Sequence, residues 1–366
     1  MSTPINIAQI KLTDAEIDAA TAVLRSGGLR QGKECEAFEN EFAAAEGAQF
    51  GVTCANGSAA NQLGYMAGLE PGDEILVPAF TFIASAMSAS VAQIKPIFCD
   101  VDPDTYLIDL EDAAKRITPK TRGIAPVHLF GNCVDPNAVQ AFADKHNLFV
   151  AYDVAQAHGT TFNGQRIGGF GDVSTYSFYP TKNMFVGEGG MITTNNEDYA
   201  QKMRDMRSHG QTGRYIHTIM GYNYRMTDVE AAIGRVQLQR LDEMVATRRR
   251  NAAILNEGLG QVTGIKTPTV TPGCESSWHQ YSITVEADFG ISRDDLAAKL
   301  AEKSIGTGVH YPRGLHQQPV YEELQGKQTL PVCEMLSEKI LALPVHHALS
   351  AEDCQAVVDA IAAARG

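Results

Sequence analysis

Paired cysteines are missing from this chain. Its seven cysteines, Cys35, Cys54, Cys99, Cys133, Cys274, Cys333 and Cys354, include no C-x-x-C pair, and the number is odd. That argues against a structural metal site and against a disulfide framework. The ten histidines show no H-E-x-x-H or H-x-x-E-H spacing, which argues against a zinc enzyme. Basic charge is also scarce: 30 Lys and Arg stand against 43 Asp and Glu, a formal net charge of −13. Nucleic acid and acidic membranes need a positive field, so neither is an expected partner. No apolar run approaches the length of a membrane span, and residues 1–6 lack a basic segment leading into an apolar one. A cytoplasmic protein is therefore expected. Internal repeats, low-complexity tracts and Pro/Ser-rich linkers are absent too.

The 366 residues, 44% hydrophobic and 20% charged, are enough for a soluble enzyme with a large core. Residues 13–25 read as a helix capped by Thr13 or Asp14 and closed by Gly27-Gly28, and residues 33–46 as a second. Seven short apolar runs follow: 50–54, 74–77, 96–100, 123–128, 148–153, 173–178 and 191–194. Helical stretches at 58–69, 82–92, 109–116 and 135–146 fall between them. Such alternation predicts an α/β fold with a mostly parallel seven-stranded sheet in a large domain, residues 1–249. A long helix over 227–257 opens with a capping-box pattern at Thr227. Residues 250–366 read as a smaller C-terminal α/β domain, with strands at 279–285 and 305–310 and helices at 292–303, 331–340 and 350–364. The run Arg248-Arg249-Arg250 reads as a solvated helix face.

Ligands of parallel sheets bind at strand carboxyl ends. Asp153 closes one predicted strand there, and Lys182 lies in the loop after the next, Ser177-Phe178-Tyr179-Pro180-Thr181-Lys182. An acid and a lysine so placed point to pyridoxal phosphate. The lysine would hold the cofactor as a Schiff base and then carry a proton, and the acid would pair with the pyridine nitrogen. Asn56-Gly57-Ser58, between a strand and a helix, offers amides and a hydroxyl to a phosphate, and Ser177 is a second donor. Phe82 or Phe80 would stack on the ring. Gly187-Glu188-Gly189-Gly190 precedes a strand rather than a helix, so it reads as a tight turn beside the cofactor and not a nucleotide loop.

These motifs resemble the DegT/DnrJ/StrS-type aminotransferases of nucleotide-sugar biosynthesis, a branch of fold-type I pyridoxal phosphate enzymes. The resemblance runs nearly end to end. It includes Pro78-Ala79-Phe80-Thr81-Phe82, Asp102-Pro103-Asp104-Thr105-Tyr106, Asp153…Gln156-Ala157-His158-Gly159, Arg207-Ser208-His209-Gly210, Gly221-Tyr222-Asn223-Tyr224-Arg225-Met226 and His310-Tyr311-Pro312. It implies that Lys182 forms the Schiff base, Asp153 pairs with the ring nitrogen and Gln156 lies near the ring hydroxyl. Gly57, Ser58 and Ser177 would hold the phosphate, and Phe82 would stack. Asn223 would reach the phosphate of a partner subunit, which makes the protein a homodimer with shared sites. L-glutamate is the implied donor and a nucleoside-diphosphate keto-sugar the acceptor, 4-keto before 3-keto.

The chain departs from the common pattern at Tyr152, Tyr179 and the Asn-Gly-Ser turn, which leaves the sugar open. Arg30, Lys33, His209, Arg214, His310, Tyr311 and Arg313 are the candidate substrate contacts. Two other readings share these residues: amination of another ketone, such as a keto-inositol or an antibiotic precursor, and a cofactor-binding regulator without turnover.

Overall fold

The computed structural model describes residues 4–365. Helix α1 (Asp14–Ser26) starts at a Thr13–Glu16 capping box and stops at Gly27, whose φ of 73° suits glycine. Helix α2 (Lys33–Ala45) follows, and both pack on the long helix Asp228–Leu259. Glu16 is buried at that contact, accepting hydrogen bonds from Gln237 and Arg240 at 3.0 and 2.7 Å.

Seven strands form the main sheet: β1 (Phe50–Cys54), β2 (Glu74–Pro78), β3 (Lys95–Cys99), β4 (Thr121–Ile124), β5 (Phe149–Asp153), β6 (Val173–Ser177) and β7 (Gly190–Thr194). Their spatial order is β1-β7-β6-β5-β4-β2-β3. All neighbours pair parallel except β7, which runs antiparallel to both β1 and β6. Near-continuous burial of these strands is what a sheet covered on both faces requires. The carboxyl ends of β1, β5 and β6 therefore lie at one edge. Gly190 is in register with both Cys54 and Ser177 there. Helix α3 (Gly57–Gly68) begins at the same edge, with Asn56 as its cap: the Asn56 side chain accepts from Ala59 N at 2.9 Å.

The C-terminal part forms a three-stranded antiparallel sheet of Ile265–Lys266, Tyr281–Val285 and Ile340–Leu343. It shares a second hydrophobic cluster with Leu296, Leu300, Val357 and Ile361. The long helix serves both clusters, with Ala231 and Leu241 in the first and Leu255 and Leu259 in the second. Leu315, Tyr321, Leu330 and Leu336 return to the first cluster. Asp100 secures that return by accepting from Val332 N and Cys333 N at 3.0 and 2.8 Å.

Three expectations are corrected. Residues 305–310 are not a strand and hold only isolated bridges, Ile5 to Ile305 and Gly308 to Ala342. Strand β4 stops at Ile124: Pro126 has no N–H to donate to the ladder, and residues 125–128 keep one bridge, Val127 to Asp153. Arg248 is not solvated: it is buried and donates to the carbonyls of Trp278 and His279 at 3.2 and 3.3 Å. Among the described residues, no helix is long and apolar enough to cross a membrane.

Candidate active site

A cavity of about 500 Å³ opens at the carboxyl edge of the sheet. Asp153 and Lys182 both line it. The Lys182 turn is held at its base, where Lys182 N donates to Tyr179 O at 2.9 Å. Phe178 N donates to Gly189 O and Val186 N to Phe178 O, and Met184 and Phe185 are buried, so the loop is anchored on both sides of the lysine. The lysine is half-buried. Desolvation pushes its ammonium down to about 8 from an ordinary 10.5, and the Asp153 carboxylate opposes that shift. An amine this close to neutrality is a usable nucleophile.

Asp153 is bonded at both oxygens. Oδ2 accepts from Ser85 Oγ at 2.7 Å and Asn61 Nδ2 at 3.1 Å, and Oδ1 accepts from Ala155 N at 3.0 Å. Asn61 is itself bonded by Thr175 Oγ1, which also reaches Tyr152 O at 3.1 Å. Gln156 is fixed as well: its Oε1 accepts from Phe130 N at 3.0 Å and its Nε2 donates to the Tyr311 hydroxyl at 2.9 Å. Phe130 sits in the left-handed region, φ 59°, which aims that amide at Gln156.

Gly57, Ser58 and Ser177 meet at the start of α3. A Cβ on Gly57 would stand 2.6 Å from Ser177 Cβ, so only glycine lets the helix start come this close to the end of β6. The resulting cradle of helix N-terminal amides and two hydroxyls suits a phosphate. Phe82 lines the cavity and is 55% exposed, whereas Phe80 is core, which separates the two stacking candidates. Beneath the lysine loop, His158 packs beside Tyr176 and Phe178. Burial, with Lys182 adding, pushes it down to about 3, so it is a neutral ring. The donor set, cradle and flat aromatic wall fit pyridoxal phosphate.

His310 and Tyr311 also line this cavity. Arg30, Lys33, His209, Arg214, Arg313 and Asn223 are exposed and lie outside the cavity of their own chain. Lys33 instead lines a groove with Arg204 and Arg207. Sequence reasoning missed Asn61, Ser85, His279 and Gln280, while the turn carrying Glu188 lies beside the cavity as expected. Ser85 and Asn61 lie in helices that read as plain scaffold, and His279 stands near the lone tryptophan without a motif around it.

A seven-stranded α/β sheet with a lysine, an acid and a phosphate cradle at its carboxyl edge fits a pyridoxal-phosphate-dependent enzyme, and the comparisons make it an aminotransferase. The DegT/DnrJ/EryC1/StrS aminotransferase family matches residues 11–362, and this chain belongs to it. It is 40% identical over 347 residues to a pleiotropic regulatory protein of Geobacillus stearothermophilus, covering 93% of this chain and 91% of that one. It is 36% identical over 351 residues to the dTDP-3-amino-3,4,6-trideoxy-alpha-D-glucose transaminase of Streptomyces venezuelae, covering 95% and 91%. The crystal structure of S. venezuelae DesV in complex with a ketimine intermediate superposes with a TM-score of 0.95 at 33% identity, covering 99% and 98%.

Proposed function

We propose that this aminotransferase moves the amino group of L-glutamate to a nucleoside-diphosphate keto-sugar, with Lys182 as the imine-forming residue. The observation that carries the reading is the pairing of Lys182 and Asp153 in one cavity that also holds the Gly57–Ser177 cradle. Bound pyridoxal phosphate supplies an aldehyde for the amine and a ring that accepts electron density. Lys182 gives the amine and afterwards moves the proton. Asp153, locked by Ser85 and Asn61, holds the charge of the ring nitrogen. Gln156 positions the ring hydroxyl side through its link to Tyr311. Gly57, Ser58 and Ser177 bind the phosphate, and Phe82 covers the ring.

The name of the S. venezuelae transaminase puts its amino group at carbon 3, which supports a 3-keto acceptor ahead of the 4-keto sugar expected from the sequence. Asn223 serves a second copy of the chain. The hairpin of Gln211–Gly213 and Ile216–His217 beside it exposes Tyr215 and Ile216 at 82% and 59%, and Met220 just after it is 87% exposed, an apolar face suited to a partner. The Geobacillus relative is named a regulatory protein, which keeps a second reading: a cofactor-binding regulator, here taken to be without turnover.

The test is to add L-glutamate alone to cofactor-loaded protein and measure 2-oxoglutarate. A stoichiometric burst is expected of an aminotransferase. A regulator without turnover would release none.

A further inference from the structure

His279 lines the cavity but has no part in the roles above. Its backbone is fixed from both sides. Ser277 N donates to Gly131 O at 3.1 Å and Gln280 N to Phe130 O at 3.2 Å, while Arg248 holds the carbonyls of Trp278 and His279. Its imidazole meets Asn183, the residue after Lys182, with Nδ1 3.4 Å from Asn183 Oδ1.

The far end of Asn183 decides how that contact works. Asn183 Nδ2 donates to the Ser277 carbonyl at 3.0 Å. A carbonyl only accepts, so the amide orientation is set and Oδ1 faces the histidine. Oδ1 only accepts in turn, so Nδ1 of His279 carries the hydrogen. The ring is neutral: burial opposes its charge, and so do the nearby cations Lys182 and Arg248. Asn183, 1% exposed and bonded at both ends of its amide, is therefore a stiff link from the lysine turn to the C-terminal half of the chain.

We propose that His279 is a positioning residue of the amino transfer: through Asn183 it fixes the turn that carries Lys182, and so the aim of the lysine amine. The inference rests on the assignment of Lys182 as the imine-forming residue. The amine has to stand within about 3–3.5 Å of the atom it attacks, and a displacement of about 1 Å costs roughly a hundredfold in rate.

Three substitutions separate this role from its rivals. His279→Asn places an amide nitrogen near the Nδ1 position and keeps a donor for Asn183. His279→Gln places one near Nε2 and loses that donor. His279→Leu keeps neither. Each variant is compared with the parent at equal cofactor occupancy, with thermal unfolding and the glutamate half-reaction measured together. The expected result is a loss of about 10–100-fold for Leu and Gln, with KM for glutamate little changed, and recovery of most of the rate by Asn. Adding Asn183→Ala to His279→Leu should cost little more, since both break one link. If Gln is active and Asn slow, the effect belongs to Nε2 and the proposal falls. Equal slowing in all three, additive with Asn183→Ala, makes the ring a packing group and also overturns it. Should Leu fail to fold, the Asn–Gln comparison decides alone. Borohydride trapping in the parent protein checks the underlying assignment separately: label on a lysine other than Lys182 defeats that assignment, whatever His279 does.

Discussion

Ser85 donates a hydrogen bond to Asp153 at 2.7 Å, joining residues 68 positions apart in the chain. Asn61 adds a second donor to the same oxygen across 92 positions. The carboxylate is thus aimed before any cofactor arrives. Each hydrogen bond to a charged group is worth roughly 1.5–3 kcal/mol. Ser85→Ala should slow the glutamate half-reaction by about tenfold, and Asp153→Asn by more than about a hundredfold, because the amide carries no charge for the ring nitrogen. Single-turnover kinetics checks both. Equal rates in Asp153→Asn and the parent would remove Asp153 from the chemistry.

Gly57 is the second point of leverage. Gly57→Ala drives a methyl to 2.6 Å from Ser177 Cβ and displaces one side of the phosphate cradle. Cofactor affinity should fall about tenfold or more, and the unfolding temperature of cofactor-free protein should fall as well, because the clash is with a Cβ beside the backbone that cannot swing aside. Equilibrium titration with pyridoxal phosphate measures the first quantity and calorimetry the second. Unchanged affinity would mean that the phosphate lies elsewhere.

The lysine gives a pH signature in the cofactor-free protein. Its ammonium sits at about 8 when folded and at an ordinary 10.5 when unfolded. Below the folded value both states hold the proton, and the folded state bears the whole cost of burying the charge. Between the two values the unfolded chain binds more protons, so this group's contribution to stability rises with pH. Lys182→Met should therefore be more stable than the parent at about pH 7. That advantage should shrink as the pH climbs from about 8 to 10.5. Urea unfolding of both proteins across that range checks the sign. A parent more stable than the variant at neutral pH would contradict the buried charge.

Much of this was legible in the sequence. Lys182, Asp153, Gly57, Ser58 and Ser177 lie in local motifs at strand and helix ends, where alternation of elements dictates position, and the cavity gathers them all. Gln156 was placed by its motif, but its bond to Tyr311, 155 positions away, was not readable. Ser85 and Asn61 were missed for the same reason. Their partners are chosen by how helices pack on the sheet, and no local pattern records that. Arg248 was misread because a basic run on a helix is usually solvated, whereas here one member of the run turns inward to hold two carbonyls.

Asn223 bears on assembly. It is exposed and outside its own chain's cavity, and we assign it to a partner's phosphate site. Mixing inactive Lys182→Ala and Asn223→Ala proteins under conditions of subunit exchange should restore activity, because one hybrid site carries both residues. No recovery, with exchange verified by mass, would assign Asn223 to its own chain or to no role.

The central claim is amino transfer to a nucleotide-linked keto-sugar. Protein loaded with nitrogen from 15N-labelled L-glutamate and freed of excess donor is offered a panel of nucleoside-diphosphate 3-keto and 4-keto hexoses, alongside free keto-inositols. The products are read by mass spectrometry. Labelled nitrogen is expected in a nucleotide-linked amino sugar, from the 3-keto acceptor first. Label appearing only in nucleotide-free amines, or remaining on the protein with every acceptor, would contradict it.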